Sequence, residues 1–129
     1  MGIRIVRLGS KRVKNEGPRI GTVRRPPRGV PKTEFAGGNW YDVWYPNLAP
    51  SDATLKLGLA AQDGAKWKAF ARRYRAEMKQ PDAARSIVLL ATLSHHMDFS
   101  VGCYCEDESR CHRSILRALL HEQGASIIE

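Results

Sequence analysis

The residues best suited to chemistry lie in one stretch of eleven, Cys103-Tyr104-Cys105-Glu106-Asp107-Glu108-Ser109-Arg110-Cys111-His112-Arg113. It holds all three cysteines of the chain and one of its four histidines. Thiolates and imidazole nitrogens ligate zinc, and Cys103, Cys105, Cys111 and His112 supply the number and types for a tetrahedral ion. A thiol in the first turn of a helix is instead activated by free N–H groups and nearby cations. That reading singles out Cys111, with Arg110, His112 and Arg113 around it. Glu106 then serves as proton carrier, while His112 and Arg113 bind an anion. In a third reading Cys103 and Cys105 simply pack, as buried cysteines commonly do.

Spacing weighs on these readings. Cys103 and Cys105 on one strand face stand about 6.6 Å apart at the Cα atoms, close enough to share an ion. Neighbours at 111 and 112 on a helix diverge by about 100°. The pattern also lacks the paired Cys-x2-Cys knuckles of common zinc modules. The stretch is therefore read as a thiolate and anion site with no cofactor favoured, and zinc on Cys103, Cys105, Cys111 and His112 is the alternative.

The elements that must position these residues follow from periodicity. Phe99, Val101, Cys103 and Cys105 alternate as a half-buried strand, with Glu106 at its end. Ile115, Leu116, Leu119 and Leu120 mark one face of a helix that Gly124 closes. A strand, an acidic turn and a helix start thus follow one another. In open α/β sheets ligands collect at such junctions, where strand ends leave a crevice.

With 129 residues, 43% hydrophobic and 26% charged, the chain fits one globular domain over 1–129. No apolar run approaches a membrane span. The opening Met1-Gly2-Ile3-Arg4-Ile5-Val6-Arg7 lacks the apolar block of a signal peptide. Three cysteines cannot all pair with one another, and the chain is read as cytoplasmic with reduced thiols. The net charge of +8 is uneven, since residues 1–32 carry ten Lys or Arg against one acid, Glu16. Such a concentration attracts anions. The expected partner is an anionic small molecule or nucleotide. No helix-turn-helix or paired-aromatic signature is present, so any nucleic-acid binding is expected to be weak, salt-sensitive and without sequence preference.

Along the chain, Ile3–Leu8 and Ile20–Val23 read as strands. Residues 24–32 form a Pro/Gly-rich basic loop, whose three prolines exclude a helix interior and a central strand. It presents Arg24, Arg25, Arg28 and Lys32, and Arg25, Arg28 and Lys32 are the candidate anion ligands. Arg28 and Lys32 are expected on the same side of the molecule as His112. Trp40–Tyr45 reads as an aromatic strand ended by Pro46, its rings in the core. Ser51 and Asp63 cap two helices, the second with Trp67, Phe70, Ala71, Tyr74 and Met78 facing inward. Pro81 opens a third helix, with Ala84, Ile87, Val88 and Ala91 inward and Leu89 and Leu90 widening that face. His95 and His96 follow as caps of its carbonyls. Ile127-Ile128 is too short to assign.

Several of these pieces together resemble a known family. Pro27-Arg28-Gly29 with Lys32, Leu48-Ala49-Pro50-Ser51 and Trp67-x2-Phe70-x3-Tyr74-x2-Glu77 are similar to motifs of domain of unknown function 488, including its YeaO-like branch. Cys105-Glu106 and Cys111-His112-Arg113 are similar to the Cys-x-Glu and Cys-His-Arg of another branch, although here Glu106 follows Cys105 directly. The likeness covers about residues 3 to 122. Where the YeaO-like branch has Asp-Arg-Leu-Trp before Pro-Arg-Gly, this chain has Arg24-Arg25-Pro26 before Pro27. The resemblance implies a small α/β fold with the polar motifs near one another, and brings no reaction with it. The reading is a three-layer α/β domain with a small, mainly parallel sheet and about four helices. Its function is to bind an anion between the Arg28 loop and the Cys111 helix. Cysteine-dependent catalysis through Cys111 and Glu106 is one extension, and a zinc-binding or nucleic-acid-binding module the alternative.

Overall fold

A computed structural model describes residues 1–129. Five strands, β1 (Ile3–Arg7), β2 (Arg19–Gly21), β3 (Val43–Trp44), β4 (Phe99–Cys103) and β5 (Ile127–Ile128), form one sheet in the order β3-β2-β4-β1-β5. Every pairing is parallel. Four helices accompany it: α1 (Asp52–Ala60), α2 (Gly64–Met78), α3 (Pro81–Leu93) and α4 (His112–Glu122). The chain is thus a small α/β domain. No helix is long and apolar enough to cross a membrane.

Local chemistry sets the helix limits. The Ser51 hydroxyl accepts from the Thr54 N–H, and the Asp63 carboxylate accepts from the Lys66 N–H at 2.8 Å. Each satisfies one of the donors that a helix start leaves free. Gly124, at φ 81°, ends α4: its N–H bonds the His121 carbonyl and the Ala125 N–H bonds that of Leu120. This glycine-dependent stop turns the chain back toward the sheet, where Ile127-Ile128 pairs with β1.

The main core lies on the helical face. Ile3, Phe99 and Val101 meet Phe70, Tyr74, Ile87, Leu90, Leu116 and Leu120 there. Alternation sends Ser100 and Gly102 to the other face. No α-helix covers that side. The third layer is irregular chain, from the connections between β1 and β2 and between β2 and β3. At one rung Val6, Gly102 and Gly21 lie side by side. A Cβ at Gly21 would come within 2.4 Å of the Tyr41 ring, and one at Gly102 within 2.8 Å of Leu8. The covering chain rests on bare backbone here.

Three expectations change. Trp40–Tyr45 yields only the two-residue β3, with Tyr41 buried but Trp44 44% exposed. The Trp44 indole N–H donates to the Val23 carbonyl instead of entering the core. In α3 the inward face is Ala83, Ser86, Ile87, Leu90 and Ala91, while Val88 and Leu89 are 48% and 57% exposed. Four consecutive apolar residues wrap about 300° of a helix, so they cannot share one face. His95 meets the end of α4 rather than of α3, its Nε2 lying 2.7 Å from the Gly124 carbonyl oxygen.

A buried ion pair ties down the helix-free face. Arg19 is fully buried and Glu16 nearly so. The Arg19 Nε and Nη2 donate to the Glu16 carboxylate at 2.7 and 2.9 Å, and Nη1 donates to the Ser10 and Asn39 carbonyls. Ser100 of β4 donates to Glu16 at 2.8 Å. Burial pushes the Glu16 pKa up, but bonds from Arg19, Ser100 and the Val13 N–H outweigh it and hold the carboxyl below its ordinary value. The stabilisation this gives is present above the unfolded value of about 4.3, and is lost as pH falls through the lower folded value. Arg19→Ala should cost about 3–5 kcal/mol in urea unfolding, because the partner charge stays buried. Glu16→Gln should flatten the fall in melting temperature below about pH 4. An unchanged acid profile in Glu16→Gln would show that another carboxylate governs it.

Candidate functional site

The sulfur-bearing stretch lies at the carboxyl edge of the parallel sheet. Strand β4 ends at Cys103, so Cys105 sits beyond it and not on its face as alternation suggests. Glu108–Arg110 forms one 3-10 turn, held by the Asp107 carboxylate accepting from the Ser109 N–H. Cys111 then stands at the cap position of α4 with extended backbone (φ −128°, ψ 150°), and His112 is the first helical residue. The Cys103 and Cys105 sulfurs are 3.9 Å apart, and the Cys111 sulfur is 3.8 Å from His112 Nδ1. The ligating atoms of Cys103, Cys111 and His112 all lie within 4.8 Å of one another. All three cysteines are free thiols.

His112 is buried, and its Nε2 is 2.7 Å from the carbonyl oxygen of Thr22, just past the end of β2. A carbonyl only accepts, so Nε2 carries the proton and Nδ1 is left with its lone pair toward the sulfurs. Desolvation lowers the His112 pKa to about 4, so the ring is neutral at physiological pH. Arg113 is also buried: its Nη2 donates to the Cys105 carbonyl at 2.6 Å, and its Nε has no partner.

The order of thiol acidity differs from expectation. Cys105 is the one pulled strongly down, through S–H donation from Cys103 and then Cys111, with Arg113 adding to it. Cys103 is pushed up, first through its hydrogen bond to Cys105. For Cys111 the contact with Cys103 lowers the pKa, but the contact with Cys105 and burial prevail and bring it up to about 11. The sequence could not show that Cys105 is the outermost of three sulfurs in contact, since that depends on where β4 stops.

Above the cluster opens a cavity of about 740 Å³. Cys103, Cys105 and His112 form its floor, Trp40 and Tyr104 one side, and Leu55 and Leu59 of α1 another. Arg7, Arg24, Arg25 and Arg28 line it, with no carboxylate in the wall. Two of them are committed elsewhere: Arg24 donates to the Pro46, Ala49 and Pro50 carbonyls, and Arg25 pairs with Asp52 at 2.6 Å. Arg7 donates to the Tyr104 carbonyl and lies 3.6 Å from Glu106. Arg28 is exposed and makes no hydrogen bond or ion pair with its own chain.

Among the sequence candidates, Arg25, Arg28 and His112 thus meet in one cavity. Lys32 lines a separate hollow with Tyr41, Asp42 and Trp44. Cys111 and Arg113 lie beneath the floor and not on the wall, and Glu106, 84% exposed, turns outward to Arg7. Sequence reasoning missed Thr22, Tyr104 and Arg7, and read Trp40 as core where it lines the cavity. Tyr104 stands between two cysteines and could have been noticed, whereas nothing in the sequence marks Thr22.

Fold and site together define a small α/β domain with a Cys/His cluster at the carboxyl edge of its sheet. Residues 3–124 match the family model DUF488-N3a, described as the active DUF488-N3 subclade, and the chain belongs to the DUF488 family. No curated protein and no solved structure matches it significantly.

Accessibility generates a test that acidity reinforces. Cys105 is half-buried, and Cys103 and Cys111 are buried. In metal-free protein near neutral pH, iodoacetamide should label Cys105 first, followed by Cys103 and Cys111 only as the fold opens. Peptide mass mapping of a time course reads the order. Early label on Cys111 would mean that the α4 start opens readily.

Proposed function

We propose that this domain binds a small anionic molecule of the nucleotide class in the arginine-lined cavity. The observation that carries this reading is Arg28, a guanidinium without an internal partner on a cavity wall that holds four arginines and no carboxylate. Such a wall favours a ligand with clustered negative charge, and a planar fork of donors suits phosphate oxygens. Trp40 and Tyr104 add aromatic surface on which a base can stack. The volume falls in the range of small-molecule sites, about 300–1,000 Å³. The charges converge on a concave site and not along a stripe, which supports a small ligand over nucleic acid. Three reduced thiols in contact suit a reducing compartment such as the cytoplasm.

Calorimetric titration with ADP, inorganic pyrophosphate and adenosine tests the reading. ADP and pyrophosphate should bind, and adenosine should bind more weakly than ADP. Arg28→Ala should weaken ADP by about 10- to 100-fold, the loss of one charge-assisted hydrogen bond of about 1.5–3 kcal/mol. Lys32→Ala should leave ADP affinity unchanged. Failure of both phosphate compounds to bind, or an Arg28→Ala protein that binds them as well as the parent, would overturn it.

A further inference from the structure

We infer that the floor of the cavity is a zinc site: Cys103, Cys111 and His112 hold the ion from below, Cys105 completes the tetrahedron, and buried Arg113 balances its charge. This inference does not depend on the cavity's ligand.

Distances support it first. Zinc bound by sulfur at about 2.3 Å and nitrogen at about 2.0–2.1 Å in a tetrahedron sets ligand atoms about 3.6–3.8 Å apart. The Cys103 and Cys105 sulfurs stand 3.9 Å apart and the Cys111 sulfur 3.8 Å from His112 Nδ1. The ligating atoms of Cys103, Cys111 and His112 lie within 4.8 Å of one another, so these three form the close set and Cys105 reaches it through Cys103. The helical divergence of neighbouring residues does not apply, because Cys111 is not in the helix. Its extended cap conformation turns the sulfur toward the ring of the next residue.

The histidine supplies a second, independent observation. A ligating imidazole characteristically gives its other N–H to a carbonyl or carboxylate, which fixes the tautomer and aims the free lone pair at the metal. His112 has this arrangement, with Nε2–H on the Thr22 carbonyl and Nδ1 toward the sulfurs.

Charge is the third. Arg113 is 3% exposed and forms no ion pair with any carboxylate of the chain. An isolated buried cation is costly, so its counter-charge must lie close by. Zinc with three thiolates and one neutral histidine carries one net negative charge, equal and opposite to Arg113. The N-terminus of α4 at the cluster favours the same negative charge.

Cys105 is half-buried where Cys103, Cys111 and His112 are buried, so it is the ligand that can be changed with least disturbance to the core. The test uses the full chain purified without chelator. Elemental analysis should find one zinc per chain, and removing it with a chelator should lower the melting temperature. Cobalt(II) added to the apoprotein should give the visible bands of a tetrahedral ion and strong thiolate-to-cobalt charge transfer. Cys105→Ser should keep tetrahedral cobalt while its charge-transfer intensity falls by about one third, two thiolates in place of three. His112→Gln should bind cobalt more weakly. An apoprotein that is folded by circular dichroism yet gives no thiolate charge transfer would overturn the site. Unchanged intensity in Cys105→Ser would overturn the four-ligand assignment.

Discussion

The Arg19–Glu16 pair is the constraint on which the arrangement depends. A parallel sheet needs both faces covered, and here the helices α1–α4 serve only one of them. The other is closed by chain without regular structure, whose carbonyls and N–H groups find no ladder to satisfy them. Arg19 meets that need by holding the segments after β1 and before β3 through the Ser10 and Asn39 carbonyls. Glu16 neutralises it and fixes Ser100 of the central strand. One fully buried guanidinium thus substitutes for the hydrogen bonding that a crossover helix would have supplied within itself.

With that face fixed, three strand ends converge. Strand β1 runs out into Leu8, β2 into Thr22 and Val23, and β4 ends at Cys103. Leu8, Val23, Tyr41, Cys103 and Cys111 form a small core of their own at this edge. The Thr22 carbonyl has left the strand ladder and is free to orient His112. Backbone groups at a parallel sheet's carboxyl edge lack partners along the chain, which is why ligand sites recur there. The stretch from 103 to 113 is tied to that edge through Arg7 and Thr22, and to itself through Asp107 with Ser109 and Arg113 with the Cys105 carbonyl.

Much of this was legible in the sequence, and what was not has identifiable causes. Ser51, Asp63, Pro81 and Gly124 punctuate helices by local chemistry, so their positions could be read directly. The face of α3 could not, because Ile87 to Leu90 offer apolar residues all round and only the sheet selects among them. Nor could the end of β4: alternation carries on through Cys105, while its partners stop earlier, β2 at Gly21 opposite Gly102 and β1 at Arg7 opposite Cys103. That one difference moves Cys105 off the strand and to the outside of the sulfur cluster. The basic loop was visible as charge, but its prolines and glycine give no sign that Arg28 and Lys32 would face different hollows.

The rung of Val6, Gly102 and Gly21 bears on the thickness of the domain. Side chains normally hold a covering layer about 10 Å from a sheet. Where two adjacent strands present glycine, the Tyr41 ring and Leu8 rest directly on the backbone. The covering layer there is a single side chain deep. Such a thin cover has no core of its own in which to absorb added bulk, so this face can grow outward at its loops but not inward at the rung.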